Sequence, residues 1–249
     1  MPEVRVLGVT GLGEVVVGDD LGAMIAQGVI RLGCRVSAGD IAVVAQKIVS
    51  KAEGRLVRLD SVEPSHHARE WAETCQKDPR LIEVILNESR RIVRMDRGVL
   101  ITETHHGFVC ANAGVDNSNC PPGFVSLLPE NPDKSAMELQ VQLEKALGAP
   151  VGVIISDSFG RPWREGQVNC ALGVAGLAPL VDYRGQQDTF ERVLEATVIA
   201  VADELAAAAE LVMEKTKHVP VAIIQGFRSV GPPGTGRTLI RASEMDLFR

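Results

Sequence analysis

No cysteine in this chain has a partner at CxxC spacing. The five cysteines, Cys34, Cys75, Cys110, Cys120 and Cys170, are scattered and odd in number, so a disulfide scaffold is not expected in a chain of 249 residues. Histidine does not complete a zinc set. Four of the five histidines form the adjacent pairs His66-His67 and His105-His106. Neighbours on a strand point to opposite faces, so neither pair has ligand geometry. Positive charge is not in surplus either. The formal net charge of −6 excludes a general nucleic-acid binder, which needs a basic face, but leaves room for a local basic pocket. No run approaches 18 uncharged apolar residues, so no membrane span is expected. The opening MPEVRVLGVTGLGEV has no basic segment followed by an apolar one. No secretory leader is therefore expected, and the cytoplasm is the default location. No repeat, linker or low-complexity segment divides the chain, which reads as one domain over 1–249, with room for two sub-lobes.

What is present is ordinary in bulk and unusual in two places. Hydrophobic content of 45% and charged content of 23% are those of a globular protein with a real core. The first unusual stretch is Val151 to Gly166, VGVIISDSFGRPWREG. A short apolar run closed by polar, Gly and Pro residues reads as a buried strand ending in a loop. The loop carries Asp157, two hydroxyls, Arg161 and Arg164. Oxygen ligands suit a hard cation, and guanidinium forks suit anionic oxygens. A turn-capping Asp with surface-paired arginines fits the same residues. The second stretch, Gly107 to Asn119, is dense in small, amide, hydroxyl and carboxylate residues that break the apolar alternation. Breaks in local rules concentrate at functional sites, although an Asn-rich turn would look alike.

Between these stretches the pattern predicts a mixed α+β fold, because the elements do not alternate strictly as βαβ. Strands are expected at Val4–Val9, Ile41–Ala45, Ile92–Met95, Val99–Thr104 and Val219–Ile224. Helices are expected at Leu21–Leu32, from Pro64-Ser65 to Cys75, at Arg80–Ser89 and at Ala136–Leu147, the last capped by Asp133 or Ser135. The longest helical pattern runs from Asp188 to about Lys217, and a short tail covers 241–249. Gln46 to Arg55 carries Lys47 and Lys51 four residues apart. Two ammonium groups could hold an anionic ligand there, or the segment is a charged strand-to-loop transition. Gly231 to Thr238 nearly matches a phosphate-binding loop, with Arg237 where Lys belongs. Only eleven residues follow it, too few for the rest of a nucleotide-binding sheet, so a Gly/Pro-rich loop is expected.

Five segments together resemble the coenzyme F420-0:L-glutamate ligase family. They are VTGLGEV near the start, VSKAEGR at Val49–Arg55, VCANAGVDNSN at Val109–Asn119, SDSFGRPWREG at Ser156–Gly166, and ADELAAAAELVM at Ala202–Met213. The resemblance spans essentially the whole chain. It implies largely antiparallel sheets with flanking helices in a two-lobed subunit of an intertwined homodimer, and neither a Rossmann nor a phosphate-binding-loop fold. It implies a ligase that uses GTP and Mg2+ or Mn2+ to join L-glutamate to a deazaflavin coenzyme precursor, with K+ as a further ion. Metal ligands would fall on Asp116, Asp157 and Ser158. GTP contacts would fall on Leu12, Gly13, Glu14, Val15, Gln46, Lys47, Lys51 and Asn119. Lys51 and Arg161 or Arg164 would hold the γ-phosphate or the substrate's phosphodiester. A further acid in the family follows the long helix, where this chain reads Met213-Glu214-Lys215-Thr216. A straight alignment puts Lys215 there and Glu214 one residue early. The C-terminal nitroreductase-like domain of some members is not expected. The implied chemistry needs no Ser-His-Asp set, because phosphorylation turns a carboxylate into an acyl phosphate that an amine can attack. A related nucleotide-dependent ligase with another acceptor, or a non-catalytic coenzyme-binding homologue, would share these motifs.

Overall fold

A computed structural model describes residues 2–247. Residues 248 and 249 of the expected tail lie outside the described residues, as does residue 1. In chain order the strands are β1 Arg5–Val9, β2 Ile41–Ala45, β3 Leu56–Arg58, β4 Ser89–Asp96, β5 Val99–Thr104, β6 Val109–Ala111, β7 Phe124–Ser126, β8 Gly152–Arg161, β9 Arg164–Ala175, β10 Val181–Asp182, β11 Val198–Ile199 and β12 Val221–Gln225. The α-helices are α1 Leu21–Arg31, α2 Gln46–Ala52, α3 His66–Cys75, α4 Pro79–Asn87, α5 Pro132–Leu147 and α6 Val201–Met213. The α+β reading holds, with sheets that are antiparallel except for one pair. No described helix is long and apolar enough to cross a membrane.

The main sheet has the order β1-β12-β2-β8-β9. Only β2 and β8 pair in parallel. Side chains alternate across a strand, so each strand feeds two cores. Ala42, Val44, Val153, Ile155 and Ile223 face α1, α2 and α5. Ile41, Val43, Ile154, Ala222 and Ile224 face α6. These strands therefore read as unbroken apolar runs, the mark of a sheet buried on both faces. A separate core joins α3, α4, β5, β7 and the turn before Asp116, through Ile82, Ile85, Leu100, Val115 and Val125. The chain enters this second region after α2 and returns from it before α5.

The structure corrects four local expectations. Gln46 to Ala52 is a helix rather than a strand-to-loop transition, because Ile48 and Val49 turn into the main core. Ser156 to Arg161 is strand, not loop: β8 runs on past the sheet, turns at Pro162-Trp163 and returns as β9. The long helical pattern is helix only from Val201. Thr197-Val198-Ile199 is β-branched, and Val198 and Ile199 pair with β10 instead. Helix α5 starts earlier than expected and is capped by Asn131, whose side chain accepts from Lys134 N at 3.1 Å, with Pro132 in the first turn. Asn131→Ala should cost about 1 kcal/mol, read as a lower urea midpoint at unchanged slope.

Asp133, released from capping, ties three elements together. Its carboxylate accepts from Val174 N at 2.9 Å, Gly236 N at 2.6 Å and Arg237 N at 3.2 Å. Two amides of the Gly231–Thr238 loop are therefore taken up by the chain's own carboxylate, and the loop leads into a short 3-10 turn. The α5 start lies so close to β9 that a Cβ on Gly173 would sit 2.1 Å from the Pro132 carbonyl oxygen. On the opposite face, Asp203 accepts from Ala171 N at 2.8 Å and pins α6 to β9.

Candidate active site

The site opens where two parallel strands part. The β2–β8 register runs from Ile41 opposite Gly152 to Ala45 opposite Ser156. After Ala45 the chain turns off into α2, while β8 continues. Asp157 is thus the first residue of β8 beyond its parallel neighbour, held on its other side opposite Cys170 of β9. A crevice at the carboxyl ends of parallel strands whose continuations diverge is a recurrent ligand site. Here it is a cavity of about 570 Å3.

One wall is acidic and carries its own cation. Asp116 is fixed by a bridge to Ser126 of β7. Its carboxylate accepts from Lys47 Nζ at 2.6 Å and from Ser118 N at 2.9 Å, while Lys47 also donates to the Ser118 carbonyl at 2.6 Å. Burial alone would raise the Asp116 carboxyl, but hydrogen bonds from Lys47 and Ser118 outweigh it and hold the group below its ordinary value. Asp157 differs. Burial pushes it up to about 6, against the Ser158 amide and the nearby ammonium groups of Lys215 and Lys47. The charge of Asp116 adds to the rise. Lys51 is buried and ion-paired with the exposed Glu14. Gln46 accepts from Ser50 Oγ at 2.8 Å through its side-chain oxygen.

The opposite wall is a relay. Lys215 Nζ donates to Ser158 Oγ at 2.5 Å, Ser158 Oγ donates to Asn169 Oδ1 at 2.7 Å, and Asn169 Nδ2 donates to Glu210 Oε2 at 3.0 Å. Ser156, two residues before Ser158 and 2% exposed, lines the same cavity with a hydroxyl that has no partner.

Most of the expected residues meet here. Gly13, Glu14, Val15, Gln46, Lys47, Lys51, Asp116, Asn119, Asp157, Ser158 and Glu214 all line the cavity. Leu12 instead buries its side chain in the main core under α1. Arg161 and Arg164 do not line the cavity. They face each other at the far end of the β8–β9 hairpin, where Arg161 donates to the Glu165 and Gly166 carbonyls. The reason is strand geometry: four residues of extended chain carry Arg161 roughly 13 Å beyond Asp157. Ser118, Asn169 and Glu210 were not expected as site residues, while Ser156 is one of the two hydroxyls of the Val151–Gly166 stretch and Lys215 stands where a straight alignment puts the family's further acid. Asn169 and Glu210 had a signal: a polar residue within the alternating β9 run, and an acid seven residues after Asp203, on the same helix face.

Residues 11–226 match the family described as F420-0:Gamma-glutamyl ligase. The chain belongs to this family. Similar relatives agree along nearly the full length. A "Coenzyme F420:L-glutamate ligase" of Methanothermobacter thermautotrophicus is 45% identical over 249 residues, 99% of each chain. One of the same name from Methanopyrus kandleri is 45% identical over 256 residues, covering 100% of this chain and 99% of the other. That of Methanocaldococcus jannaschii is 47% identical over 215 residues, 86% of each. The chain is accordingly a ligase that forms carbon–nitrogen bonds, and the cavity is the candidate centre of this gamma-glutamyl ligase fold. The buried Cys110 and half-buried Cys170 thiols are poor nucleophiles, since desolvation pushes both up to about 12.

The donor set fits a hard divalent cation. The half-buried Asp157 carboxylate lies near the ammonium groups of Lys215 and Lys47, Ser158 Oγ accepts from Lys215, and the Ser156 hydroxyl is orphaned beside them. No three His, Cys, Asp or Glu side chains among the described residues converge as a complete metal cage. Mg2+ takes one or two carboxylates and completes its shell with water and substrate phosphates.

Proposed function

We propose that this chain adds L-glutamate to coenzyme F420-0 in a GTP-dependent reaction that passes through an acyl phosphate and releases GDP and phosphate. The observation that carries it is the meeting of Asp116 and Asp157 with Lys47 and Lys51 in one cavity. Two carboxylates and two ammonium groups are what phosphoryl transfer requires: anions to hold a divalent ion, cations to hold phosphate oxygens.

In the first step a carboxylate oxygen of the coenzyme precursor attacks the γ-phosphorus of GTP, and the bond to the β-phosphate oxygen breaks. Lys47 and Lys51 hold the phosphate oxygens, exchanging Asp116 and Glu14 for the incoming anion. Asn119 and the Gly13–Val15 turn border the nucleotide. In the second step the amine of glutamate attacks the acyl carbon, phosphate leaves with the carbon–oxygen electron pair, and the amine's proton passes to solvent. Asp116 and Asp157 would hold Mg2+ or Mn2+, with Ser158 beside them bonded to Lys215, and the ion would supply positive charge to offset what builds up in transfer. Glu214 stands at the rim of the cavity as an additional acid.

The working unit is read as a homodimer. Support comes from Trp163 at the hairpin tip and Phe190 in the turn after β10, 81% and 80% exposed, which a second subunit would cover. Incubation with GTP, Mn2+, glutamate and the deazaflavin precursor should yield a product heavier by one glutamyl residue, with one GDP per bond formed. GTP hydrolysis without the mass gain, or no turnover on any acid acceptor, would overturn the reading.

A further inference from the structure

The relay on the α6 side of the cavity contains a cation that nothing in the proposed reaction uses. Lys215 follows the end of α6, after Glu214, whose backbone is left-handed in φ at 46°. Its ammonium donates to Ser158 Oγ at 2.5 Å and is among the positive charges that stabilise the Asp157 carboxylate.

The direction of each hydrogen bond is fixed by chemistry. An ammonium only donates, so Ser158 Oγ accepts from Lys215 and must give its single proton elsewhere. It gives it to Asn169 Oδ1. The Asn169 amide cannot turn over, because its nitrogen side donates to Glu210, whose carboxylate only accepts. Glu210 therefore orients Asn169, Asn169 orients the Ser158 proton, and the Ser158 lone pair is aimed into the cavity. A hydroxyl held in this way is built to face a positive charge. The charge that it faces is Lys215. Asp157, adjacent in the chain, is served by the same ammonium. The orphaned Ser156 hydroxyl lies two residues back on the same strand. Ser156, Asp157 and Ser158 border one cavity, and at the Ser158 oxygen the chain supplies a tethered cation of its own.

We infer that Lys215 is a tethered counter-ion that takes the place of a divalent cation on the Ser158–Asn169–Glu210 side of the cavity, so that the chain loads one divalent ion fewer than its donor oxygens would allow. This rests on the proposed reading of the cavity as a metal–nucleotide site. Lys215 is a positioning residue here: it bonds Ser158 Oγ and adds positive charge near Asp157, without touching the reacting atoms. One consequence is that this half of the site is charged at every metal concentration. Another is that an acid at position 215 would turn the same oxygens into a second divalent site.

Metal stoichiometry tests this directly. Free Mn2+ is followed by electron paramagnetic resonance during titration of the full chain with saturating GDP, for the wild type, Lys215→Glu and Lys215→Arg. Lys215 is exposed, and circular dichroism checks that each variant is folded. The expected result is one bound Mn2+ per wild-type chain, one for Lys215→Arg and two for Lys215→Glu. Equal, non-zero stoichiometry in all three overturns the role of Lys215 while leaving the metal reading standing. Two Mn2+ in the wild type does the same. No Mn2+ bound by any of them overturns the metal reading itself, and this inference with it.

Discussion

Asp157→Asn is expected to leave a folded protein that turns over roughly a hundredfold to a thousandfold more slowly, a loss of about 3–4 kcal/mol of transition-state stabilisation. Asparagine keeps the shape of the side chain and removes the charge on which metal and phosphate depend. The fold does not need that charge. Burial raises the Asp157 carboxyl to about 6, above the ordinary aspartate value of about 3.9. Its preference for the proton stabilises the folded chain below about pH 4, and that contribution is lost as the pH rises through 6. At pH 8 the folded wild type holds a buried, ionised carboxylate that the asparagine variant does not. The variant should therefore melt no lower than the wild type at pH 8, while GDP release coupled to glutamate addition collapses. Wild-type turnover with Mn2+ in excess would sink the assignment of Asp157, and a lower melting temperature would recast the loss as one of folding.

Gly173→Ala should be strongly destabilising, since a Cβ there would make the shortest contact of any glycine among the described residues. A Cβ there would lie 2.1 Å from the Pro132 carbonyl oxygen and 2.9 Å from the Asp133 nitrogen. Both are backbone atoms at the start of α5, so no side-chain rotation relieves the contact. The helix start must move, and Asp133 with it, loosening the bonds to Val174, Gly236 and Arg237. The expected cost is about 3 kcal/mol, or a fall in melting temperature of roughly 10 °C. Gly160→Ala on the facing strand is the control, because its Cβ would meet nothing within 4 Å. Similar melting temperatures for the two variants would refute the close approach.

Two of the stretches that line the cavity were legible because their residues are wrong for a core. Asp157 and Ser158 interrupt an apolar strand, and Asp116 to Asn119 interrupt a β pattern, so composition alone marked both. What the pattern could not carry was reach. Ser156-Asp157-Ser158 reads as the start of a loop because the apolar run stops, yet antiparallel pairing with β9 keeps the chain extended to Arg161. That error placed Arg161 and Arg164 at the site. Gln46 to Ala52 was misjudged for a related reason: its two lysines suggested a solvated segment, whereas Ile48 and Val49 are enough to turn one short helix onto the core. The 188–200 segment failed on period, since Leu194 and Val198 are four apart in a stretch whose β-branched residues prefer an extended backbone. Asn169 and Glu210 were missed because the signal of each is weak alone; only α6 lying over β9 makes them neighbours.

The two carboxylates are anchored in different ways, and the difference bears on how such a chain can change by descent. Asp157 belongs to a continuous ladder. Inserting or deleting one residue in β8 before it would turn its side chain to the opposite face and empty the site at a stroke. Asp116 hangs from a single bridge to Ser126, with an irregular segment on the 3-10 turn side and another before β7. Residues can be gained or lost around it without shifting any ladder. A lineage that adapted this catalyst to a bulkier or shorter acceptor would therefore carry its length variation on the Asp116 side, while the count of residues between the start of β8 and Asp157 stayed fixed.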